Sequence, residues 1–212
     1  MRCSILAKIL ALSLALSAFA FAKGDKSVYF DATVGGAYSS FLTKFGSMDY
    51  KGDIEKKRVH YHGFGPAIDL KAGINIGVVV PFVDLQLMYS GGTLESYGFK
   101  YDESANRIML GAGANFFPFK NPESAMHGAY VGLSVGIMAV FVDRPKKLVS
   151  KLGIEEQGFS ASLDLGKLWK LNKEFSVGVS GMATVDGPIR FGEDPPDSYF
   201  YTLWLGVTIA KM

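Results

Sequence analysis

From residue 28 onward, stretch after stretch of the chain alternates between an apolar residue and a small or polar one. The clearest run, 64–76, sets Phe64, Pro66, Ile68, Leu70, Ala72, Ile74 and Ile76 against Gly65, Ala67, Asp69, Lys71, Gly73 and Asn75. Successive side chains of a strand point to opposite faces, so a period of two marks a β-strand with two unlike faces. The pattern recurs at 28–38, 80–89, 107–117, 129–142, 159–169, 175–185 and 199–210, which predicts eight strands in all. A length of about ten residues is what a tilted strand needs to cross a bilayer.

The connections support the same reading. Those at 39–63, 90–106, 143–158 and 186–198 are long, those at 77–79 and 170–173 are tight, and 118–128 is intermediate. Long external loops joined by short periplasmic turns are the habit of outer-membrane barrels. With both termini periplasmic, every long connection falls outside. Pro81 opens a strand, where its missing N–H is tolerated, and Pro66 is expected near the rim or beside a bulge.

A soluble barrel would also alternate, with its apolar set turned inward. The polar face separates the two cases. Gly, Ser, Ala and Asn dominate it, with isolated Asp31, Asp69, Lys71, Asp84 and Asp164. Small residues suit the crowded lumen of an eight-stranded barrel. The apolar stripes carry no charge except Lys167 and Lys211, near predicted periplasmic ends. One charge at mid-membrane on a lipid face costs roughly 2–4 kcal/mol, so their near absence marks that face as lipid-facing. Tyr38, Tyr89, Tyr199 and Tyr201 near the outer ends, with Phe30, Phe116, Trp169 and Phe175 near the inner ends, fit aromatic girdles. Beyond the N-terminal segment no uncharged apolar run approaches the length of a membrane helix, and a strand-built span must close to satisfy its backbone. The expected fold is all-β: a closed, antiparallel, eight-stranded up-and-down transmembrane β-barrel.

The first residues read as an export signal. Arg2 and Lys8 precede an apolar run over 9–18, and Ala18-Phe19-Ala20 and Ala20-Phe21-Ala22 both fit small-x-small cleavage. Residues 1–22 are therefore expected to be a cleaved signal peptide, and 23–212 a single barrel domain. Cys3, the one cysteine, leaves with the signal, so no disulfide or thiolate chemistry is expected. Of 22 Lys and Arg against 20 Asp and Glu, Arg2 and Lys8 also leave, and the remainder is formally neutral. Phosphate backbones need a basic surplus, so no nucleic-acid partner is expected.

With this architecture the chain resembles the small eight-stranded outer-membrane barrels of Gram-negative bacteria, the OmpA-type membrane domains and OmpX/Ail-like proteins. The final segment, 198–212, looks like their C-terminal assembly signal, departing from it in ending on Met212 and in placing Lys211 out of register. The resemblance implies an outer-membrane location. It also implies contact with membrane lipids and lipopolysaccharide, a monomer, and a structural or surface-interaction role through the external loops. A narrow passive pore and a lipid-modifying enzyme are the alternatives.

Candidate chemistry is sparse. Lys71 is expected to anchor a lumen ion-pair cluster with Asp84 and Asp31. Lys56, Lys57, Arg58, Arg144, Lys146 and Lys147 make basic loop segments suited to lipopolysaccharide phosphates. His60 and His62 share one face of an extended segment in the first loop, but two histidines do not complete a zinc site, so no metal or other cofactor is expected. His127 lies in a predicted periplasmic turn. Barrel-borne lipid A hydrolases use a Ser–His–acid group, yet Ala129 stands where their serine would be two residues on. Ser134 and Glu123 remain as spatial candidates, and no enzyme is expected.

Overall fold

The computed structural model describes residues 28–48, 54–96, 99–142, 154–188 and 199–211. The expected export signal, 1–22, lies outside them. Eight antiparallel strands form one closed ring: β1 (Val28–Met48), β2 (Ile54–Ile74), β3 (Val79–Ser96), β4 (Phe99–Phe116), β5 (Ala129–Val142), β6 (Ile154–Lys170), β7 (Phe175–Pro188) and β8 (Tyr199–Lys211). Each strand pairs with its sequence neighbour, and β1 closes on β8 from Phe30↔Lys211 to Leu42↔Tyr199. The ring leaves no open edge within the span, so the backbone is satisfied there without water.

The alternation resolves as expected on both faces, except that Lys211, expected on the apolar stripe of β8, is buried. Val34, Leu133, Val135, Leu203 and Leu205 are exposed on the outside, while Tyr29, Asp31, Lys71, Gln86, Arg107 and Met109 are buried in the lumen. Lys167 lies beside Trp169, its ammonium 5.3 Å from the ring centre, and donates to the Ala125 carbonyl of a periplasmic turn. That keeps its charge at the inner boundary, away from the apolar band.

The outer connections are shorter than the alternation predicts, because the strands outrun the membrane. β1 and β2 are 21 residues each and β3 and β4 are 18 each, about twice the length needed for a span. The ladder continues from Ser39↔Gly63 to Met48↔Ile54, within what the sequence presents as a 39–63 loop. Likewise β3 and β4 run on to Ser96 and Phe99, β6 starts at Ile154 and β7 extends to Pro188. Beyond the bilayer both faces of a strand meet water. The contrast between stripes fades there while the backbone pairing persists.

The periplasmic turns follow from local chemistry. Gly77 takes a φ of 100°, which a side chain disfavours, and its N–H donates to Asn75 Oδ1. In the turn at 171–174, Asn172 Oδ1 accepts from the N–H groups of Glu174 and Phe175, each at 2.8 Å. Pro66 lies within the barrel wall, not at a rim. The β2–β3 ladder lapses between Phe64↔Gly91 and Ala67↔Met88, where Pro66 has no N–H to give. The Ser90 carbonyl beside this lapse accepts from the Tyr61 hydroxyl at 2.8 Å, a side-chain bond at the point where the wall loses backbone pairing.

Candidate functional site

The lumen holds two charged groups joined by one amide. Inward-facing positions of β2, β3, β1 and β6 bring Lys71, Asp69, Asp84, Asp31 and Asp164 to the inner half. Lys71 bypasses Asp84, its ladder neighbour. Its ammonium lies 2.5 Å from Asp164 on the opposite wall and 3.1 Å from Asp69 on its own strand. Asp84 Oδ2 accepts from Ser134 at 2.9 Å and Gln86 at 3.1 Å. Asp31 sits across the β1–β2 ladder from Lys71 and accepts from Tyr29 at 2.8 Å and Thr33 at 3.2 Å. Asn115 donates to the Tyr29 hydroxyl at 3.1 Å. A buried charge is tolerable only when paired and hydrogen-bonded. The hydroxyls and amides bond Asp31 and one oxygen of Asp84, and Lys71 pairs with Asp69 and Asp164; among the described residues Asp69 Oδ1, Asp84 Oδ1 and Asp164 Oδ1 take no hydrogen bond.

The second group lies further out and was not anticipated from sequence. Arg107 grips Asp186 with two parallel bonds of 2.6 and 2.9 Å, while its remaining donors reach Ser160 at 2.8 Å and Gln86 Oε1 at 3.0 Å. Both ions are almost wholly buried. The fork of a guanidinium matches a carboxylate in this way, and such charge-assisted pairs are the strong ones. Gln86 thus accepts from the outer group and donates to the inner one. The signal for Asp186 was present: inward positions continue from Ser176 through Ser180 and Thr184 to Asp186, one step past the predicted strand end.

Little space remains beside these side chains. A cavity of about 10 Å³ lies among Gln86, Met88, Arg107, Met182, Thr184, Thr202 and Trp204, enough for about one water. Tyr61, Phe41 and Phe200 fill the section above it.

The remaining candidates lie apart. Lys56, Lys57 and Arg58 belong to the backbone of β2, paired with β1, and not to a loop. Arg144, Lys146 and Lys147 lie outside the described residues. His60 and His62 also belong to β2, their ring centres 5.5 Å apart. Among the described residues no group of three or more His, Cys, Asp or Glu converges as a metal cage. His127 Nδ1 contacts the Phe119 carbonyl at 3.1 Å, Ser134 is bound to Asp84 in the lumen, and Glu123 is exposed in the periplasmic turn. The hydrolase grouping is therefore not assembled from these three. On the outer hairpin, the Lys100 ammonium 2.7 Å from Glu95 holds that carboxyl below its ordinary range.

A closed ring of eight strands with an apolar outer band and a polar, filled interior defines a transmembrane β-barrel. Comparison with solved structures agrees. The chain is similar to the outer membrane protein OprG from Pseudomonas aeruginosa, with a TM-score of 0.51, 13% identity, and coverage of 88% of this chain and 97% of that one. Lower similarity links it to Neisserial surface protein A (TM-score 0.47, 15% identity, 85% of this chain and 95% of that one). The same holds for Ail, the attachment invasion locus protein of Yersinia pestis (TM-score 0.45, 13% identity, 87% and 99%). No family model and no curated protein matches the chain. The fold is that of the small eight-stranded outer-membrane barrels.

Proposed function

We propose that this outer-membrane barrel works through its outer face, as a structural and surface-interaction protein that does not conduct solutes. The supporting observation is the contrast between its two ends. The lumen is filled by packed side chains and two ion-pair groups, whereas β1–β4 project outward as a paired sheet. Among the described residues, β1 from Thr43 to Met48 pairs only with β2, and β4 from Phe99 to Asp102 pairs only with β3. A strand edge with unpaired N–H and C=O groups is a template for another extended segment. Membrane lipids and lipopolysaccharide would surround the barrel, with Lys56, Lys57, Arg58, Arg144, Lys146 and Lys147 available to glycolipid phosphates. Residues 1–22 would be removed on export, after Ala20 or Ala22, and the protein would act as a monomer.

Two measurements test this. Purified barrel in planar bilayers is expected to show no conductance, and steady channel currents would favour the passive-pore alternative. Replacing 44–57 by a short turn is expected to leave a heat-modifiable barrel while abolishing retention of barrel-displaying cells on surfaces that hold the parent cells. Unchanged retention would overturn a role for the β1–β2 projection.

A further inference from the structure

His60 and His62 occupy a more ordered setting than a loop. Both lie on β2 between two paired neighbours: His60 is opposite Leu42 of β1 and Glu95 of β3, and His62 is opposite Ser40 and Thr93. Tyr61 between them is fully buried in the lumen, so the two imidazoles emerge on the outward face, two residues beyond the exposed Phe64. Their ring centres are 5.5 Å apart with planes at 50°. His60 Nε2 lies 3.1 Å from Ser40 Oγ. When that nitrogen donates to the hydroxyl, Nδ1 of His60 keeps its lone pair. His62 Nδ1 is shielded and takes no hydrogen bond.

We propose that His60 and His62 form a two-imidazole site for a borderline divalent transition-metal ion of the zinc type, with water in its remaining positions. Neutral imidazole suits such ions, and metal-bound histidines commonly give their other N–H to a neighbouring oxygen, the part Ser40 plays here. The strand is held on both sides, so the spacing of the rings is set before the ion arrives. Among the described side chains, the charged groups facing the pair are Glu95 of β3, which favours a cation, and Lys100 of β4, which binds Glu95 at 2.7 Å.

The test uses Zn²⁺ alone, titrated by calorimetry into the folded barrel in detergent. The chain has 3 histidines, so His127, in the periplasmic turn, is an internal control. One ion is expected to bind per barrel. His60→Ala and His62→Ala should each weaken it by about tenfold or more, and His127→Ala should leave it unchanged. In the unaltered protein, the imidazole ¹⁵N signals of His60 and His62 should move with Zn²⁺ while those of His127 stay. Parental affinity in a heat-modifiable His60→Ala/His62→Ala double variant would overturn the site, as would shifts confined to His127.

Discussion

Lys71 and Asp164 meet across the width of the barrel. β2 and β6 are opposite in the ring of eight, yet 2.5 Å separates Nζ from Oδ2. The pair ties two walls that share no backbone ladder. Lysine supplies the reach, and the small residues around it supply the room. Gly132, for example, leaves a Cβ-sized space that Asn115 Oδ1 already closes to 2.2 Å.

Lys71→Met should therefore unfold more easily. It leaves Asp164 and Asp69 buried without their cation, and breaking a buried pair from one side costs about 3–5 kcal/mol. Equilibrium unfolding in urea from lipid vesicles measures the change. Adding Asp164→Asn to Lys71→Met should recover part of it, because one orphaned charge is removed. A Lys71→Met barrel as stable as the parent would show that the strut contributes nothing.

Arg107 should be the outer seal. Its four hydrogen bonds hold Asp186, Ser160 and Gln86 together across β4, β7, β6 and β3. Arg107→Ala removes the fork and its stem and should open a water-filled path. Planar-bilayer recordings are expected to show small channel events in Arg107→Ala where the parent is silent. Silence in both would place the seal elsewhere, at Tyr61, Phe41 and Phe200.

Two turn glycines should differ in how they tolerate a methyl group. Gly77 has a φ of 100° but open space around its Cβ position, whereas Gly128 combines a φ of 82° with the Leu168 carbonyl oxygen 2.1 Å from that position. Gly77→Ala should cost only the left-handed penalty, about 1–2 kcal/mol. Gly128→Ala should cost more, since it also strains the bond from Leu168 N–H to the Gly128 carbonyl. The heat-modification midpoints of the two variants give the order, and equal midpoints would contradict it.

The lipid face should reject charge. Leu205 is 70% exposed in the middle of β8, while Thr202 on the other face lies in the lumen. Leu205→Arg should lower the folding free energy into bilayers by about 2–4 kcal/mol. Thr202→Ser, which keeps the hydroxyl, should change it by less than about 1 kcal/mol. Equal effects would mean that the faces are reversed, because a slip of one residue exchanges them.

The span was legible because lipid imposes a rule on every second residue: Val177, Val179, Ala183 and Val185 on β7 could not be mistaken for a lumen stripe. Two things were not legible, for physical reasons. Outside the bilayer the rule lapses, so Ser39 and Ser40 in succession read as loop although β1 continues through them to Met48. Inside the lumen, alternation says which residues point inward but not which walls face each other. That depends on strand tilt and closure, so Asp84, near in the ladder, was the expected partner of Lys71 and Asp164 was not. Asp186 was missed through the strand end, set one residue short.

The outer sheet makes a sharper test, because pairing on one side only leaves a signature. From Thr43 to Met48, β1 has β2 as a neighbour and no other among the described residues. In an antiparallel pair, alternate N–H groups of an edge strand point at the partner and the rest point away. Hydrogen exchange followed by NMR should therefore alternate along 43–48, with every second amide slow and its neighbours fast. The same amides of a loop would all exchange fast. Residues 30–42, paired with both β2 and β8, should be slow throughout. Uniformly fast exchange over 43–48 would remove the projecting sheet, and with it the free edge on which the surface-interaction role rests. Uniformly slow exchange would mean that the edge is already covered by another segment.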